Sequence, residues 1–100
     1  MSTSYKEIVT DKGILKYRMP DALESFDLLD ASGVNDGVVK ILHLKRNMIA
    51  AMENLIDYSE LEGINTYKDL LIDIDISLRC LSQIADEVIE KTFEAFKKKT

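Results

Sequence analysis

The stretch from Asn65 to Phe96 most constrains the fold of this chain. Apolar residues recur there at Tyr67, Leu70, Leu71, Ile74, Leu78, Leu81, Ile84, Ala85, Val88, Ile89 and Phe96, mostly three or four apart. Side chains at those spacings share one helical face, so the pattern predicts a single helix over about 66–96. Thr66 with Asp69 three residues later reads as its capping box, Asp standing in for the usual Glu. A period of two competes with this reading. Leu70, Ile72, Ile74, Ile76 and Leu78 alternate with Asp69, Leu71, Asp73, Asp75 and Ser77, as in a strand. Length decides for helix, because the helical period runs on past Leu78 with no Gly or Pro. Ile74 then lies on the main core face, and a charge there, as in Ile74→Asp, is expected to unfold the domain. Ile72, Ile76 and Cys80 form a second apolar stripe at i, i+4 and i+8. A helix apolar on two sides needs two partners: the rest of this chain covers one side, and either a second subunit or the helix at 21–32 covers the other.

The N-terminal part reads as a hairpin. Tyr5–Val9 and Ile14–Met19 are the extended segments, and Thr10-Asp11-Lys12-Gly13 is the turn, with Gly13 free to take a positive φ. Leu15, Tyr17 and Met19 alternate with Lys16 and Arg18, so one face is apolar and the other basic. Two strands alone are marginal in water, so the hairpin must pack on a helix or gain strands from another subunit. Pro20 ends the second strand and opens a helix over about 20–32, with Asp21 and Glu24 at its positive end. Ala22, Leu23, Phe26 and Leu29 are its expected apolar face, and Gly33 its cap. Asn35 or Asp36 caps a second helix over about 38–59, with Ile41, Leu44, Met48, Ala51 or Met52, and Leu55 on its buried face. Val38–Leu44 also has the β-branched content of a short strand. Gly63 breaks the chain before the long helix, and Lys97-Lys98-Lys99 suits that helix's negative end. The expected fold is mainly α: one domain over 1–100, with a small N-terminal β-hairpin followed by three helices.

At 100 residues the chain is long enough for one modest core. Apolar residues at 46% argue against disorder, and a net charge of −5 disfavours nucleic acid. Cys80 is the only cysteine, so no intrachain disulfide points to an oxidising compartment. No apolar run is long enough to span a bilayer, and Met-Ser-Thr-Ser-Tyr-Lys is not followed by the apolar core of a signal peptide. A cytoplasmic protein without a membrane partner is expected.

No residue pattern names a reaction. His43, the only histidine, has neither a positioned partner nor further ligands in sequence, and reads as a residue at the core boundary. Between positions 53 and 75 lie seven acids: Glu53, Asp57, Glu60, Glu62, Asp69, Asp73 and Asp75, with Lys68 the one base among them. A calcium loop needs oxygen ligands on a tight loop with a Gly at its turn, whereas these acids fall mostly on expected helices. Asp73 and Asp75 would point about 200° apart on a helix, so that pair does not chelate together. They read as a solvated acidic face, or as a docking surface for a basic partner. Catalytic, cofactor and metal residues are therefore expected to be absent. The candidate partner-binding residues are Ile72, Ile76, Cys80, Glu53, Asp57, Asp69 and Asp73. Self-association through the second stripe, the hairpin edge, or both is expected.

The run Gly13-Ile14-Leu15-Lys16-Tyr17-Arg18-Met19-Pro20-Asp21-Ala22-Leu23-Glu24 leads a short hairpin through Pro into an acidic helix. Leu28-Leu29, Gly33 and a long helix pair follow. This order resembles the tail assembly chaperones of long-tailed bacteriophages. The resemblance implies a host-cytoplasmic protein that coats the helical tape-measure protein, keeps it soluble and recruits tail-tube subunits. It also implies absence from the finished virion and, often, a longer frameshifted form. It brings no catalytic residue. The alternative class is a small acidic immunity protein or antitoxin that blocks a basic partner.

Overall fold

The computed structural model describes residues 4–32 and 41–97. Strands β1 (Lys6–Thr10) and β2 (Gly13–Tyr17) form the expected hairpin, paired antiparallel from Lys6 opposite Tyr17 to Thr10 opposite Gly13. Gly13 has φ of +131°, a conformation that L side chains rarely adopt. Leu15 and Tyr17 are buried and Met19 packs against the core from its edge, so the predicted apolar face holds. The sheet has a third strand that the residue pattern does not announce. Strand β3 (Ile56–Asp57) pairs antiparallel with β2, and the Arg18 N–H donates to the Leu55 carbonyl at 3.0 Å beyond it. The hairpin is thus completed from its own chain, in the order β1-β2-β3.

Helix α1 (Ala22–Ser32) starts just after Pro20. Asp21 Oδ1 accepts the Glu24 N–H at 2.8 Å and Glu24 Oε1 accepts the Asp21 N–H at 3.0 Å, a reciprocal cap. Its buried face is Leu28 and Leu29, whereas Ala22, Leu23 and Phe26, expected inside, are exposed. Helix α2 (Ile41–Ala51) stops well short of Ser59. Met52 leads into a tight 3₁₀ turn (Glu53–Leu55) and then β3. Its predicted face survives this change: Met48, Met52 and Leu55 are all buried. The closing Gly33, the caps Asn35 and Asp36, the helix start near Val38 and Lys98-Lys99 lie outside the described residues.

The long helix is two helical runs. Helix α3 (Tyr67–Ile72) opens on the predicted capping box, with Thr66 accepting from the Asp69 N–H and Asp69 accepting from the Thr66 N–H. It ends at Asp73, whose ψ of 115° is extended. The chain turns helical again at Ile74, passes through a π-helical segment (Ile76–Leu81), and continues as α4 (Ser82–Lys97). Asp73 makes the break stable. Its Oδ1 accepts the Ile76 N–H at 2.9 Å, capping the second run, and its Oδ2 pairs with Lys12 in the hairpin turn. Leu70–Leu78 is not a strand. Around one core gather Leu15 and Tyr17 from the sheet, Leu28, Met48, Met52, Tyr67, Leu70, Ile76, Cys80, Leu81, Ile84, Ala85 and Val88. The Tyr67 hydroxyl donates to the Ile49 carbonyl at 2.5 Å, tying α3 to α2.

Arg18 joins the end of β2 to α1. Both of its terminal nitrogens donate to the Glu24 carboxylate at 2.7 Å, and Nη2 also reaches the Asn54 carbonyl at 3.2 Å. The guanidinium lowers the Glu24 pKa from 4.5 to about 2. A lowered folded-state pKa means that the stabilisation is complete above pH about 4.5 and is lost as pH falls toward 2. Glu24→Gln is expected to cost about 1–2 kcal/mol at neutral pH after allowance for solvent screening. Urea titrations across pH should show that difference shrinking toward zero near pH 2.

Candidate interaction site

The interruption at Asp73 reassigns the faces of the C-terminal helices. Ile72 is 68% exposed, Ile74 76% and Leu78 72%. Ile76 and Cys80 are 2% and 0% exposed, inside the core. The two predicted stripes have therefore exchanged roles in part. Ile74 and Leu78, expected on the core face, point to solvent. Ile76 and Cys80, expected on the partner face, are packed within the domain. Ile72 alone of the second stripe stays outside. An extended residue between two helical runs shifts their rotational phase, and the π-helical segment shifts it again. Cys80 is a free, buried thiol whose pKa is raised, mainly by burial, so it is a packing residue.

The candidate acids divide by what they hold. Asp69 Oδ2 accepts the N–H groups of Asn65 and Thr66 at 3.0 Å each, and these bonds lower its pKa. Asp73 is held below the usual carboxylate range first by the Ile76 N–H and then by Lys12. Both are helix caps, with their charge directed into backbone. Asp75 pairs with Arg79 through contacts of 3.1 and 3.0 Å. Asp57 accepts from the Ser59 hydroxyl at 2.6 Å and the Ser59 N–H at 3.0 Å, which lower its pKa. Glu53 is exposed at the start of the 3₁₀ turn. Glu53 and Asp57 come together in an open hollow of about 650 Å³, lined also by Tyr5, Asn54, Ile56, Tyr58, Ser59, Ile64 and Asn65. None of those lining residues is basic.

His43 is exposed on α2, away from the boundary position expected for it. Nearby Lys45 reaches Asp86 on α4 at 3.0 Å. Among the described residues, no group of three or more His, Cys, Asp or Glu side chains is arranged to hold a metal ion, and no helix is long and apolar enough to cross a membrane. The arrangement leaves Ile72, Ile74 and Leu78 exposed near the Asp73 break and places Glu53 and Asp57 in a hollow at the β3 end. Sequence reasoning found the acids of the hollow but missed Ile74 and Leu78. The available signal was Asp73 itself, a good N-cap placed inside a helical run. No family model, curated protein or solved structure matches this chain.

Proposed function

We propose that this chain is a non-catalytic, cytoplasmic binding protein that acts as a phage tail assembly chaperone. It holds an apolar helical segment of a tape-measure protein and presents it to tail-tube subunits. The observation that carries this reading is the exposure of Ile72, Ile74 and Leu78 within one short stretch. Large aliphatic side chains exposed within seven residues of sequence on a small acidic domain are suited to covering apolar helix surface. The resemblance of residues 13–34 to that family supports the same reading. Coexpression with a long apolar helical tape-measure protein tests it. The partner is expected to stay soluble with several copies of this chain bound. The double change Ile74→Asp, Leu78→Asp should return the partner to the pellet while leaving this protein's helical content intact. Equal solubilisation by the double variant would reject the reading.

One observation favours a second reading, a stoichiometric inhibitor of a basic protein. The hollow bearing Glu53 and Asp57 has acidic, aromatic and amide linings and no base. An inhibitor forms a one-to-one complex that weakens with salt and with Glu53→Gln. A multi-copy complex insensitive to salt belongs to the chaperone.

A further inference from the structure

The strand order puts β1 at one end of the sheet, and no other strand pairs with its far side among the described residues. The ladder shows which of its backbone groups face outward. Arg18 donates its N–H toward the β3 side. Backbone groups alternate in direction along a strand, so residues 14, 16 and 18 address β3 while 13, 15 and 17 address β1. Their partners in β1 are Thr10, Ile8 and Lys6. The N–H and C=O groups of Glu7 and Val9 therefore point away from the sheet. This edge has no Pro, and Val9 is 76% exposed on it. Lys6 and Glu7 are the only charges that blunt it.

We propose that this edge pairs with the same edge of a second copy, β1 antiparallel to β1, with Ile8 opposite Ile8 on the two-fold axis. Charge selects the register. Outward groups must meet outward groups, so even residues face even ones and odd face odd. An axis at Lys6 or Glu7 sets that charge against its own copy. An axis at Val9 brings Glu7 opposite Asp11. Directly opposed like charges are destabilising. The axis at Ile8 avoids all three: Lys6 faces Thr10, Glu7 faces Val9, and two apolar Ile8 side chains meet. The Glu7–Val9 pairs then exchange both backbone bonds, and the two three-stranded sheets become one.

Sedimentation over a concentration series up to about 1 mM tests the dimer and its register together. Val9→Lys sets an opposite charge against Glu7, counted twice by the axis, and should tighten the dimer about tenfold. Val9→Glu sets a like charge there and should loosen it about tenfold. The same two changes at Leu23, equally exposed on α1, control for net charge and should move the constant less than about twofold. Position 9 is exposed, so circular dichroism should report an unchanged fold. A parent protein that stays monomeric throughout overturns the proposal. So do shifts of one sign at Val9, or shifts at Leu23 as large as those at Val9.

Discussion

Ile76→Asp is expected to unfold the domain, whereas Ile74→Asp, two residues away, is expected to leave it folded. Ile76 is 2% exposed and belongs to the common core, so its replacement strands a carboxylate among apolar side chains. That costs about 4 kcal/mol or more, a large share of the stability of a domain this size. Ile74 is 76% exposed at the start of the second helical run, where a negative charge is tolerated by the helix dipole. Its change should stay within about 0.5 kcal/mol. Chemical denaturation of the two variants, followed by circular dichroism, gives both values. The uninterrupted-helix reading requires the reverse order, so equal stability at position 76 would restore it.

Gly13→Ala is expected to cost about 3 kcal/mol and to lower the melting temperature by roughly 15 °C. Two effects act together at that position. Its φ of +131° is one that an L side chain rarely adopts. A Cβ there would also run into the backbone carbonyl of Glu60. That contact cannot relax freely, because Gly13 bridges to Leu61 and the Glu62 N–H donates to the Lys12 carbonyl at 2.8 Å. Gly63→Ala separates the two effects. Gly63 has φ of +79°, with open space where its Cβ would stand, so only the backbone cost of about 1 kcal/mol should appear. Similar melting temperatures for the two variants would show that the approach of Glu60 to the hairpin turn is not close.

The candidate site was legible only in part. Glu53 and Asp57 stand out as acids in sequence, but their meeting in one hollow depends on where β3 forms. Asp69 and Asp73 stand out equally and turn out to cap helices. An acid at a helix start and an acid on a docking face have the same composition, and hydrogen-bond geometry alone separates them. The exposed Ile74 and Leu78 are invisible to periodicity, because it assigns both to the buried side.

Local chemistry carries what can be read without coordinates. The turn at Gly13, the helix start after Pro20, the Thr66–Asp69 box and the buried face of Met48, Met52 and Leu55 each rest on groups a few residues apart. Such groups interact in much the same way whatever the rest of the chain does. The break at Asp73 is different. Mid-run, Asp tolerates a continuous helix or a cap, with little difference in propensity. In the fold Asp73 accepts the Ile76 N–H as a cap, and Lys12, 61 residues away in sequence, pairs with the same carboxylate. The short β3 likewise exists because β2 offers it a ladder: Ile56-Asp57 has no strand signal of its own length. A stripe with apolar residues at both three- and four-residue spacings can be rotated by one extended residue and still bury a full face. Hence the amphipathic pattern determines that these helices pack, and contacts across the chain determine which isoleucines face water.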